Sequence, residues 1–179
     1  CVLWKICFGV METFDVYPLF DVHPVRGYMS WLWDKDGQKY LDFYGGHAVI
    51  SIGHSHTHYV ERIRDQVREL GFYSNSVHLP LQQELAQKLG ELSGYSDYLL
   101  FLVNSGAEAN ENALKLASFH TGRRKVICFD QAFHGRTSLA VAVTDNSKVV
   151  APVNEHEGVV RLPLNDREAL DRHLNEEVA

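Results

Sequence analysis

Apolar and polar positions change period several times along the chain. Residues 11–25 follow neither a helical nor an alternating pattern and read as an extended, loop-rich arm. Tyr28–Asp34 and Gln38–Phe43 alternate, with Asp34-Lys35-Asp36-Gly37 between them, which predicts a hairpin. Ala48–Ile52 predicts a further strand. The period then becomes helical: Val60, Ile63, Val67 and Leu70 share one side of a helix over Tyr59–Leu70. A second helix over Leu81–Leu92 has Pro80 near its start and Leu81, Leu85, Leu89 and Leu92 as its buried stripe. Tyr98-Leu99-Leu100-Phe101-Leu102-Val103 is a continuous apolar run and predicts a buried strand. A helix follows, Gly122 stops it, and Lys125–Asp130 predicts the next strand. Strand, helix, strand in that order predicts a parallel α/β sheet. Val141-Ala142-Val143 fits helix or strand equally. Asn165–Ala179 predicts an amphipathic helix with Asp166 or Asn165 near its start.

The chemistry concentrates where the two predicted parallel strands end. After Val103 the chain reads Asn104-Ser105-Gly106-Ala107-Glu108. Ser105 is a good N-cap, and Glu108 three residues on completes a capping box. Gly106 lets the backbone approach a ligand closely, and the free N–H groups of a first helical turn attract an anion such as a phosphate. After the second strand comes Gln131-Ala132-Phe133-His134-Gly135-Arg136-Thr137. Open parallel sheets place ligands at the carboxyl ends of their strands. An aromatic ring, a glycine and an arginine in such a loop can stack on a flat cofactor and grip a carboxylate. Standing alone, Phe133 would read as a core aromatic and Arg136 as a structural ion pair.

These segments resemble the class III (ornithine-type) aminotransferases, in the acetylornithine or succinylornithine branch. The resemblance rests on an ordered set: Trp33–Phe43, Gly45-Gly46-His47-Ala48-Val49, Gly53-His54-Ser55-His56, Asn104–Ala117 and Phe133–Thr137. It covers nearly everything from Met11 to Ala179. It implies an α/β chain with the type I, aspartate-aminotransferase-like fold of pyridoxal 5′-phosphate enzymes, here incomplete. Residues 11–58 would begin a small domain and 59–179 the large cofactor-binding one. It implies that Ser105, Gly106 and Ala107 hold the cofactor phosphate, that Phe133 stacks on the pyridine ring and that Arg136 pairs with the substrate carboxylate. The implied reaction moves the terminal amino group of an acylornithine to 2-oxoglutarate, in arginine biosynthesis. Ornithine or 4-aminobutyrate as donor, and a non-catalytic cofactor-binding remnant, are the alternatives. The implied assembly is a homodimer, with Tyr73–Ser76 near its seam.

The sequence also departs from this pattern. In the family the reactive lysine and the acidic partner of the pyridine nitrogen lie further along than Ala179. Lys5, Lys35, Lys39, Lys88, Lys115, Lys125 and Lys148 all read as solvent-facing or structural. The chain is therefore expected to be an inactive amino-terminal part of an enzyme, with open sheet edges and poor solubility by itself. Cys1–Val10, ahead of Met11, reads as a non-native leader. Where many relatives carry proline after Gly-His-x-His, Thr57 stands here and can begin or cap the helix.

Composition narrows the remaining classes. The 179 residues are 45% hydrophobic and 22% charged, as in a soluble globular protein, and the net charge of −6 disfavours nucleic acid or an anionic membrane. No apolar run is long enough to span a bilayer. Cys1, Cys7 and Cys128 fit neither a disulfide framework nor a Cys-x-x-Cys site, so a reducing cytoplasm is expected. His54-Ser55-His56-Thr57-His58 could present imidazoles to a metal on a strand, yet no cysteine or acidic ligand accompanies them at suitable spacing, so no metal is assigned. The single glycine of the 104–108 turn rules out a Gly-x-Gly-x-x-Gly dinucleotide fingerprint, and Walker and nucleophile-elbow motifs are absent.

Overall fold

The computed structural model describes residues 13–14 and 16–179. The leader Cys1–Val10, with Lys5, Cys1 and Cys7, and Met11 lie outside the described residues. The described chain divides into two compact units, one running through His78 and the other spanning Leu79–Ala179.

The first unit is built on an antiparallel meander, β1 (Pro24–Tyr28), β2 (Trp31–Asp34) and β3 (Lys39–Leu41), in that spatial order. Two features differ from the pattern reading. The end of the expected arm is itself a strand, and the expected strand 28–34 is broken by a reversal at Met29, whose φ is 51°. The β2–β3 turn forms as expected, for a local reason. Asp34 is buried, and its Oδ1 accepts the N–H groups of Asp36 and Gln38 at 3.0 and 2.9 Å, while its Oδ2 accepts the Tyr40 hydroxyl at 2.8 Å. Tyr40 first, then the two amides, hold the Asp34 carboxyl below its usual range against the opposing effect of burial. The sheet face carries Lys39 Nζ 3.8 Å from the Trp31 ring centroid and Arg26 4.6 Å from that of Trp33.

Ala48–Ile52 is not a strand. Residues Gly45–Ala48 instead close a turn with positive φ throughout, at 55°, 58°, 61° and 59°. Asp42 anchors this turn: its Oδ1 accepts the N–H groups of Tyr44 and Gly45, and its Oδ2 lies 2.7 Å from His54 Nε2. Helix α1 (Thr57–Leu70) starts with Thr57 as its first residue and His56 as its N-cap.

In the second unit α2 (Pro80–Ser93) has proline in its first turn and ends at Gly94 in the left-handed region. The apolar stripes of α1 and α2 form at the expected spacing but stay exposed, Leu92 at 86%. Residues 98–103 join no sheet, and Leu99 is fully exposed. An apolar run becomes a strand only where another strand satisfies its backbone. Helix α3 (Gly106–Thr121) then leads through Gly122, at φ 72°, to β4 (Val126–Phe129). Strand β4 pairs in parallel with β5 (Val159–Leu162), Val126 opposite Val159 and Phe129 opposite Leu162. Between them lie the short helix α4 (Ser138–Ala142) and a 3₁₀ turn at Pro152–Asn154. The undecided 141–143 segment is thus the end of α4 and its cap.

The core of this unit is small. It joins Cys128 of β4, Ala140, Val141 and Ala142 of α4, Val143 and Thr144 just beyond, Leu162 of β5 and Ala169 of α5 (Arg167–His173). Asp166 caps α5 by accepting the Ala169 N–H at 2.9 Å. Helix α5 is shorter than the sequence pattern predicts. Past it the chain turns to lie beside β4, where Ala179 donates to the Lys125 carbonyl and Glu177 pairs with the Lys125 ammonium.

Candidate functional site

Two backbone features end close together at one place in the second unit. The first is the start of α3. Ser105 is its N-cap, with extended backbone and a side chain that accepts the Glu108 N–H at 3.2 Å. Glu108 reaches back, but one residue further than the usual box: its Oε2 accepts the Asn104 N–H at 2.9 Å and the Ser105 hydroxyl at 3.0 Å. These donors, the Ser105 hydroxyl first, hold the Glu108 carboxyl below its ordinary range. The negative charge is thereby drawn toward Asn104. The N–H groups of Gly106 and Ala107 donate to none of the described residues, at the positive end of a sixteen-residue helix.

The second is the loop after β4. It is bound to its surroundings residue by residue. Gln131 donates its N–H to Asp145, and Asp145 returns its own to the Ala132 carbonyl. His134 N–H donates to the Thr144 hydroxyl at 2.9 Å, and that hydroxyl, almost fully buried, faces the Gly135 and Ala140 carbonyls. Gly135 has φ 135°, and a Cβ there would stand 2.5 Å from the Ala107 Cβ. Glycine is therefore what allows this loop to touch the first turn of α3.

The two features border an open cavity of about 590 Å³. Ser105, Gly106, Ala107 and Asn110 line it from α3, and Phe133–Thr137 line it from the loop. All five residues singled out from the sequence, Ser105, Gly106, Ala107, Phe133 and Arg136, thus meet in one place. Phe133 presents its ring at 66% exposure. The residues suit a phosphate-bearing aromatic group: backbone N–H groups at a helix start, with an aromatic ring and a guanidinium on the facing loop. The Nδ1 of His134 is buried and makes no hydrogen bond among the described residues.

Sequence reasoning missed Asn110, Glu111 and Thr144. Asn110 stands one helical turn beyond Gly106 and donates its Nδ2 to the His134 carbonyl at 2.7 Å. Glu111 accepts the Thr137 hydroxyl at 2.7 Å and the Leu139 and Ala140 N–H groups at 2.8 and 3.0 Å. The i+4 spacing from Gly106 was the available signal for Asn110. In the histidine segment after Gly53, His54 Nε2 lies 2.7 Å from Asp42 Oδ2.

Comparison with known proteins bears on the same chain. The family model described as "Aminotransferase class-III" matches residues 15–179. The acetylornithine aminotransferase of Halalkalibacterium halodurans is 38% identical over 169 residues, which are 94% of this chain and 44% of that protein. That of Archaeoglobus fulgidus is 41% identical over 155 residues, 86% of this chain and 41% of that protein. The solved structure of ornithine aminotransferase from Toxoplasma gondii superposes with a TM-score of 0.84 at 25% identity, covering 92% of this chain and 41% of that one. The chain therefore spans less than half the length of the relatives it matches. With a family match over nearly its whole length, this chain belongs to the class-III aminotransferases, which depend on pyridoxal 5′-phosphate.

Proposed function

We propose that the cavity between α3 and the Phe133–Thr137 loop is the cofactor site of an acylornithine aminotransferase, of which this chain is the amino-terminal part. The observation that carries the reading is the convergence of Ser105, Gly106, Ala107, Phe133 and Arg136 on one cavity from two separate loops. Gly106 and Ala107 would donate their N–H groups to the cofactor phosphate, with Ser105 beside them, and the ring of Phe133 would stack on the pyridine. Bound there, pyridoxal phosphate supplies the electron sink for amino transfer, and the lysine that works with it lies in the remainder of the enzyme. Arg136 orients the substrate by its carboxylate, since a guanidinium fits that group bidentately. The identities of 38% and 41% to acetylornithine aminotransferases favour N-acetylornithine as donor. The proposed reaction passes the terminal amino group of N-acetyl- or N-succinylornithine to 2-oxoglutarate, in arginine biosynthesis in the cytoplasm. The working form is a homodimer, with Tyr73–Ser76 near its seam.

In the complete enzyme, Arg136→Ala is expected to raise KM about tenfold or more for both the amino donor and 2-oxoglutarate, the loss of a charge-assisted bidentate contact. Cofactor absorbance stays intact. Unchanged KM values for both substrates would overturn the assignment of Arg136. Comparison of N-acetylornithine, ornithine and 4-aminobutyrate as donors decides the branch.

A further inference from the structure

The loop that forms one wall of the cavity carries almost none of its own structure. Helix α4, which follows it, has Thr137 at the N-cap position, yet Thr137 makes no cap. Its hydroxyl is turned to Glu111 Oε2, 2.7 Å away. The carboxylate of Glu111 does the capping in its place, accepting the N–H groups of the second and third residues of α4 from a neighbouring helix. One residue earlier on α3, Asn110 Nδ2 holds the His134 carbonyl at 2.7 Å. Consecutive side chains of α3 therefore grip the loop on either side of Arg136: Asn110 at His134 and Glu111 at Thr137 and the start of α4. Gly135, between them, presses against Ala107 in the same first turn that offers its N–H groups to the cavity.

We propose that Asn110 and Glu111 are the positioning residues of this site: together they fix the Phe133–Thr137 loop against the start of α3, so that the ring of Phe133 and the guanidinium of Arg136 are held at a set height over the α3 N-terminus. Neither residue is asked to touch the reacting atoms. Asn110 sets the loop through a backbone carbonyl, and Glu111 through a helix start. The amide of Asn110 must donate, and the group at 111 must accept several donors at once. The same geometry explains why α4 presents no free N-terminus: Glu111 already fills it, leaving α3 as the helix start that faces the cavity. This inference rests on the cofactor reading above.

The test uses the complete enzyme and pyridoxal phosphate, with Asn110→Asp, Glu111→Gln and the harsher Glu111→Ala. Asn110→Asp keeps size but places an acceptor against an acceptor. Glu111→Gln keeps shape and one accepting oxygen, and serves as the milder variant should Glu111→Ala not fold. Three readouts are taken: hydrogen exchange of the 131–140 backbone in the cofactor-free protein, the Kd for pyridoxal phosphate with its induced circular dichroism, and KM against kcat. The expected result is faster exchange confined to 131–140, cofactor Kd weakened about tenfold with a diminished induced signal, and raised KM, because a loop no longer pre-organised binds less well. Glu111→Gln is expected to fall between wild type and Glu111→Ala. Faster exchange with unchanged Kd, dichroism and KM would overturn the proposal and leave the cofactor reading standing. Unchanged exchange would also overturn it. A wild-type complete enzyme that binds no pyridoxal phosphate would instead overturn the cofactor reading itself.

Discussion

At the scale of single residues, the site depends on a few positions where no other side chain serves. Gly135 is the clearest. Its φ of 135° lies outside what L-residues adopt readily, and a Cβ would meet Ala107 at 2.5 Å and Ala140 at 3.2 Å. Gly135→Ala is therefore expected to cost on the order of 2 kcal/mol in strain and displacement, read as a lower denaturant midpoint without a change of slope. A midpoint within error of wild type would show that loop and helix are not in forced contact. Ser105 and Gly106 were legible as a helix start, because a serine followed three residues later by a glutamate marks one. Phe133 and Arg136, which alone read as a core aromatic and a structural ion pair, were singled out by the family resemblance. Asn110, Glu111 and Thr144 gave no such signal. A polar residue inside a helix reads as a solvent-facing position, and only the approach of a loop from more than twenty residues away turns it into a clamp.

Among elements, local pattern succeeded where an element closes its own bonds and failed where it needs a neighbour. Helices α1, α2 and α3 and strand β4 follow their expected bounds closely, since caps, Pro80, Gly94 and Gly122 lie within the sequence that forms them. The apolar run 98–103 and the Ala48–Ile52 stretch did not become strands, because alternation and apolarity describe a face and say nothing of a partner. Helix α4 shows the opposite case, an element stabilised by a carboxylate from elsewhere. Burial tends to raise the Glu111 carboxyl, but the Ala140 N–H, the Thr137 hydroxyl and the Leu139 N–H outweigh it and hold it below its ordinary 4.5. A carboxyl lowered on folding contributes stability above its unfolded value and loses it as pH falls through the folded one. Stability of this unit is thus expected to decline below about pH 4.5, with a shallower decline in Glu111→Gln. Urea midpoints measured across that range check it. An identical pH slope in the variant would mean that Glu111 does not contribute to it.

On the scale of the whole chain, apolar surface is distributed unevenly. The core around β4, β5 and α4 is closed, whereas Leu99, Phe101 and the stripes of α1 and α2 face outward. No helix among the described residues is long and apolar enough to cross a membrane. The site sits on the closed part, where the loop and both helices share packing. That arrangement has a kinetic side. Helix α4 is five residues long, a single turn, and without its own cap it lacks the means to nucleate alone. Its capping bonds need Glu111 of α3, 28 and 29 residues back along the chain from Leu139 and Ala140. The order of assembly expected from this is α3 first, then α4, then the loop between them. Contacts made that late are absent from the folding transition state, so Glu111→Gln is expected to speed unfolding and leave the folding rate nearly unchanged. Stopped-flow measurement of both limbs decides it; a slowed folding limb would put the clamp in the nucleus. The wall that carries Phe133 and Arg136 is then expected to be the last part of the unit to be made and the first to be released.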